Sequence, residues 1–143
     1  MQLDNFKIAY IDDDSHDVDM LELALGRMNF SGDYRHFYAC EEILALLNVA
    51  DPKTYRFPNL IFIDLNLPGM SGLELLKELR SNKKTHKIPV IILTGSNRAA
   101  DYIAAVESGC NGYVLKDKNL EEYREHVEHC VRSWALTDRK IAH

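Results

Sequence analysis

An open, doubly wound α/β fold around a parallel sheet is what the sequence predicts, and two observations predict it. Five short apolar runs recur along the 143 residues, at Lys7 to Ile11, Tyr34 to Tyr38, Leu60 to Ile63, Ile88 to Leu93 and Gly112 to Leu115. Each is followed by a stretch whose apolar residues fall at helical spacing. Five βα units in succession imply parallel strands with helices on both faces, joined by right-handed crossovers. They are too few to close the usual eight-unit barrel, which leaves an open sheet.

The elements follow in order. The first run ends in Asp12-Asp13-Asp14, and the next helix places Val18, Leu21, Leu25 and Met28 on one face, with Ser15 as the expected N-cap. Asp14 is either part of the acidic site or a cap in its own right. The segment Asp51 to Pro58 is linker-like in composition and reads as a loop, not a domain boundary. The third run, Leu60-Ile61-Phe62-Ile63, ends at Asp64. Pro89 sits at the first turn into the fourth strand, where a missing amide donor is tolerated, and Gly109 closes a helix over Ala99 to Ser108 as its C′ residue. In the fifth helix Leu120, Tyr123, Val127, Cys130, Val131 and Trp134 form an apolar stripe, with Glu121, Glu122, Glu125 and Glu128 elsewhere on the cylinder.

One domain is expected at this length, 1–143, with a short C-terminal extension. Seventeen basic against 22 acidic residues give a formal charge of −5, which argues against an electrostatic grip on nucleic acid or anionic lipid. No apolar stretch approaches a membrane span, and the first residues lack a signal-peptide core, so a cytoplasmic protein is expected. Cys40, Cys110 and Cys130 lack metal-ligand spacing and read as reduced, packed thiols. The six histidines, His16, His36, His86, His126, His129 and His143, read as solvated side chains.

In open parallel sheets ligands bind outside the carboxyl ends of the strands. Asp12, Asp13, Asp64, Thr94 and Lys116 all fall at that edge. Carboxylates crowded there would protonate or splay apart unless a cation shared them, which points to a divalent metal beside a reactive carboxylate. The combination suits uptake of a phosphoryl group. Asp64 would attack phosphorus, Mg²⁺ held by Asp13 and Asp64 would offset charge, Lys116 would neutralise another oxygen, and Thr94 would donate a hydroxyl hydrogen bond. Amides after Asp64 and at Gly95 would complete the cradle. Taken alone, Thr94-Gly95 is an ordinary turn and Tyr113 a β-favourable surface residue; the array gives Thr94 its meaning.

The succession I-D-D-D, F-I-D-L-N-L-P-G-M-S-G, I-L-T-G and Y-V-L-K resembles the receiver domains of two-component response regulators across nearly the whole chain. The resemblance implies the flavodoxin-like strand order 2-1-3-4-5 and a single-domain regulator that takes phosphate on Asp64 from a sensor histidine kinase. Asp13 and Asp64 would bind Mg²⁺ directly, the Asn66 backbone carbonyl would be a third ligand, and Asp12 would act through a water. Thr94, Lys116 and Gly95 would contact the phosphoryl group, and Tyr113 would be the switch aromatic paired with Thr94. Asn66 and Ser96 occupy positions that tune phosphoryl lifetime.

The chain departs from the family pattern after Lys116. Receivers usually carry a proline there, joined by a cis peptide, and here the residue is Asp117. A cis bond before a non-proline costs about 3 kcal/mol, so the Lys116–Asp117 bond is either trans with a rearranged loop or strained. Asp117 is expected to pair with Lys118. The long Val49 to Pro58 connection and the tail Thr137 to His143 beyond the fifth helix resemble single-domain receivers paired with bacterial phytochromes.

With few residues left after the fifth helix, output is expected through an unknown downstream protein, with a homodimer across the fourth helix, fifth strand and fifth helix as a further expectation. Turnover catalysis is not expected. The rivals are a degenerate receiver acting as a constant binding module and a small aspartyl-phosphate phosphatase; the latter would want an acid two places after Asp64, where this chain has Asn66.

Overall fold

The computed structural model describes residues 3–116 and 119–142, with the side chains of 138–142 excepted. The Lys116–Asp117 bond and the Asp117–Lys118 pair therefore lie outside the described residues. Strands and helices alternate as β1 (Lys7–Ile11), α1 (Ser15–Arg27), β2 (Asp33–Phe37), α2 (Cys40–Val49), β3 (Leu60–Ile63), α3 (Gly72–Ser81), β4 (Val90–Thr94), α4 (Ala99–Glu107), β5 (Gly112–Leu115) and α5 (Leu120–Ala142). The five strands form one parallel sheet in the order β2-β1-β3-β4-β5. The expected architecture is thus the observed one.

Strand residues alternate between two cores, as the period of two requires. Ile8, Tyr10, Leu60, Phe62, Ile91 and Leu93 pack against α1 and α5. Ala9, Ile11, Ile61, Ile63, Val90 and Ile92 pack against the helices of the other face. Because β1, β3 and β4 are covered on both sides, their apolar runs are nearly unbroken. The helix α4 is the weakly anchored member: only Ala105 is buried, while Tyr102, Ile103 and Val106 are exposed.

Several sequence expectations shift. Asp14, not Ser15, caps α1: its Oδ1 accepts from the amides of His16 at 2.9 Å and Asp17 at 3.2 Å, because the carboxylate one residue earlier reaches two orphan donors. The fourth strand begins at Val90 because Pro89 lacks an N–H; only its carbonyl enters the ladder, accepting from Ile61 N at 3.0 Å. Leu120 leaves the predicted apolar stripe. It stands 61% exposed at the first position of α5, beside Leu23 of α1, which is also exposed. The rest of the stripe is inside, with Tyr123, Val127 and Val131 buried and Cys130 and Trp134 packed on the same core.

The expected tail is also helical, since α5 runs on to Ala142; no glycine or proline interrupts residues 135–142. Gly109 does close α4, at φ +99°, with its amide on Val106 O and that of Cys110 on Ala105 O. The three cysteines are free, and burial pushes the Cys40 thiol up to about 12.

Candidate functional site

The sequence-predicted site residues lie at the carboxyl edge of the sheet, except Tyr113, which is the second residue of β5 and pairs with Ile92. The backbone carries Asp12 out of β1 with its amide on Phe37 O, and Asp64 out of β3 with its amide on Ile11 O, each at 3.1 Å. The two acids therefore leave neighbouring strands at the same level. Thr94 ends β4, and Lys116 follows β5 with its amide on Thr94 O at 2.9 Å.

Asp12 is fully buried and heavily engaged. Its Oδ2 accepts from the Tyr10 hydroxyl and from Lys116 Nζ at 2.6 Å, its Oδ1 accepts the Asp14 amide at 3.0 Å, and its carbonyl accepts from His36 Nε2 at 2.7 Å. Asp13 is exposed, and Asp64 is 8% exposed. Carboxylate oxygens of Asp12, Asp13 and Asp64 all lie within 4.8 Å of one another. An all-oxygen, all-anionic donor set at that spacing fits one hard divalent cation. No histidine or cysteine joins such a group among the described residues.

Lys116 is the counter-charge. Its Nζ donates to Asp12 Oδ2 at 2.6 Å and to Asp17 Oδ2 at 2.9 Å, and lies 3.4 Å from Asp64 Oδ1. Burial by itself would lower its pKa, but the hydrogen bonds to Asp12 and Asp17 and the charge of Asp64 raise it, so the ammonium stays charged. Asp64 is displaced upward: burial raises its pKa more than Lys116 and the Asn66 amide lower it, and the charge on Asp12 adds to the rise. A depression lined by His16, Asp17, Asp64, Asn66, Gly95 and Lys116 opens the Asp64 carboxylate to solvent.

On the β4 side Thr94 is fully buried, and its hydroxyl oxygen accepts the Ser96 amide at 3.2 Å. The Ser96 side chain turns away to Asp101 of α4. Tyr113 Oη donates to the Ser96 carbonyl at 3.1 Å, and its ring meets Tyr102 edge-on at 5.3 Å. Thr94, Ser96, Tyr113 and α4 thus form one connected chain.

Tyr10 and Asp17 touch the site and went unread in the sequence, and His36, expected as a solvated side chain, is instead half-buried with its Nε2 on the Asp12 carbonyl. Tyr10 carries a signal, since residues two apart on a strand share a face and Tyr10 and Asp12 are so placed. Inside the apolar run Ile8 to Ile11 it reads as core, which it also is.

Residues 8–128 match the family of the response regulator receiver domain. The chain belongs to that family. Response regulator Rcp1 of Synechocystis sp. is 40% identical over 80 residues, 56% of this receiver and 54% of Rcp1. The nitrate/nitrite response regulator NarL of Escherichia coli is 42% identical over 65 residues, 46% of this receiver. The matched segments thus span about half of Rcp1 and 29% of NarL. Among solved structures, the phosphorylated cyanobacterial phytochrome response regulator RcpA superposes with a TM-score of 0.82 at 27% identity, covering 93% of this receiver and 96% of that chain. The Mn²⁺-bound form of Rcp1 gives 0.79 at 28% identity, covering 91% and 94%.

Proposed function

We propose that this receiver is a phosphoryl acceptor in a two-component pathway, taking the group from the phosphohistidine of a sensor kinase onto Asp64. The observation that carries the reading is the setting of Asp64: an almost buried carboxylate at a strand end, open on one side, within 3.4 Å of a charged ammonium and next to two further acids.

An Asp64 carboxylate oxygen attacks phosphorus in line with the phosphorus–nitrogen bond. The new P–O bond forms as the P–N bond breaks, the electron pair goes to the imidazole nitrogen, which takes up a proton, and Asp64 is left as an acyl phosphate. Lys116 balances the added negative charge from where it already stands. Asp13, Asp64 and the Asn66 carbonyl would hold Mg²⁺, with Asp12 behind a water because both its oxygens already serve Tyr10, Lys116 and Asp14. Mg²⁺ when bound supplies positive charge against the transferred oxygens. The Mn²⁺-bound form of Rcp1 and the phosphorylated form of RcpA support this reading by likeness.

Output follows from the Thr94 side. Drawing the Thr94 hydroxyl to the phosphoryl group releases the Ser96 amide, and the Tyr113 ring, tied to the Ser96 carbonyl, is repositioned with α4. The helix α4 buries little and exposes Tyr102, Ile103 and Val106, which supports a phosphorylation-dependent partner or homodimer face across α4, β5 and α5. Asn66, lining the depression, and Ser96 are the positions that would tune phosphoryl lifetime.

The test is intact-mass measurement after acetyl phosphate and Mg²⁺. One base-labile phosphoryl adduct, absent from Asp64→Asn, is expected; its absence, or its survival in the variant, overturns the proposal. Steady hydrolysis of a phosphomonoester would favour a phosphatase instead.

A further inference from the structure

We infer that Asp17, in the first turn of α1, is a positioning residue for Lys116 and, through it, for the charge balance at Asp64. The inference rests on the reading of Asp64 as acceptor and Lys116 as its counter-charge. An ammonium on a four-carbon stem is a point charge with many rotamers and no preferred plane, so its acceptors decide where it stands. Here there are two at hydrogen-bond distance, Asp12 at 2.6 Å and Asp17 at 2.9 Å, while Asp64 lies farther off at 3.4 Å. Asp12 alone would leave the ammonium free to swing onto Asp64.

The strut has firm footing. The Asp17 amide is held by the Asp14 cap at 3.2 Å, and the next residue, Val18, is buried in the core with its amide on Asp14 O. Its side chain is 28% exposed, so its carboxylate is less tightly enclosed than that of Asp12 and is not itself part of the packed interior. The consequence is a division of space: Asp17 draws the ammonium toward α1 and leaves the Asp64 oxygens to a divalent cation. Without it, ammonium and metal compete for one carboxylate.

A double-mutant cycle on the full chain reads this out. Mg²⁺ affinity is measured by isothermal titration calorimetry for the parent, Asp17→Asn, Lys116→Met and the pair, with no phosphoryl donor present. Asp17→Asn is expected to weaken Mg²⁺ binding about fivefold when Lys116 is present and by about twofold or less in Lys116→Met, since coupled contacts are non-additive. Asp17→Glu, which keeps the charge and the acidic helix start, is expected to remain within about twofold of the parent. Equal factors in both backgrounds would mean that Asp17 acts as a remote charge, and that result, or a loss in Asp17→Glu as large as in Asp17→Asn, overturns the inference. Because metal affinity is read without phosphorylation, a chain that binds Mg²⁺ as expected but takes no phosphate would sink the acceptor reading alone.

Discussion

Gly72 stands against the backbone of Asp64: a Cβ at position 72 would lie 2.1 Å from the Asp64 carbonyl oxygen and 2.8 Å from Ile63 Cγ2. The start of α3 is pinned there from two sides. The Gly72 amide donates to Leu65 O at 3.1 Å, and Ser71 caps the helix by accepting the Glu74 amide at 3.1 Å. The end of β3 and the start of α3 thus touch backbone to backbone. Gly72→Ala must shift one of them, so it is expected to destabilise the fold by about 2–3 kcal/mol in urea unfolding and to reduce labelling of Asp64. Unchanged stability would mean that α3 can yield without cost.

The raised pKa of Asp64 makes its carboxylate a liability to the metal-free fold. A carboxyl whose folded pKa exceeds its unfolded value binds its proton more tightly when folded, so stability falls as pH rises from the ordinary carboxylate range through the raised value. Above that window the folded protein carries a buried charge it would be more stable without. Asp64→Asn removes it and leaves Lys116 with Asp12 and Asp17 as acceptors. Thermal unfolding without divalent ions is expected to show a Tm about 3 °C higher for the variant at pH 7, narrowing at acid pH. A lower Tm for Asp64→Asn at pH 7 contradicts this balance of charges.

Three clustered carboxylates also predict metal-dependent stability. Mg²⁺ that binds only the folded chain adds about 2.7 kcal/mol at a hundred times its Kd. Asp13 is exposed, so Asp13→Ala is expected to unfold within about 0.5 kcal/mol of the parent in chelator, yet to lose most of the rise that Mg²⁺ produces. Calorimetric scans with and without Mg²⁺ decide it, and an equal rise in both proteins removes Asp13 from the metal site.

The succession of strands and helices and the carboxyl-edge array were legible because both are written locally, whereas the strand order came only from the family resemblance. A strand buried on two faces is an unbroken apolar run, and the residue after it is where a ligand-binding side chain emerges. Asp12 and Asp64 each occupy such a place, Thr94 is the last residue of β4, and Lys116 follows the edge strand β5. Asp17 was not legible: it meets Lys116 across 99 residues of chain, and only the phase of α1 about its axis brings them together. The tie between Tyr113 and Ser96 is equally silent, since the acceptor is a backbone carbonyl and any residue at 96 would supply it. The cap of α1 stayed open between Asp14 and Ser15 because both have the capping chemistry, and only backbone geometry chooses Asp14. The continuation of α5 to Ala142 was missed although its cause, a stretch without breakers, stands in the sequence.

The central claim is that Asp64 itself takes the phosphoryl group, and reduction of the phosphorylated protein with borohydride tests it most directly. An aspartyl phosphate is reduced to homoserine, whereas a free carboxylate or a phosphate ester of serine, threonine or tyrosine is not. After treatment with acetyl phosphate and Mg²⁺, peptide mass mapping is expected to find homoserine at position 64 alone, and none when Mg²⁺ is withheld. Homoserine at Asp12 or Asp13, or an unreduced chain that nonetheless carries phosphate, would contradict the account.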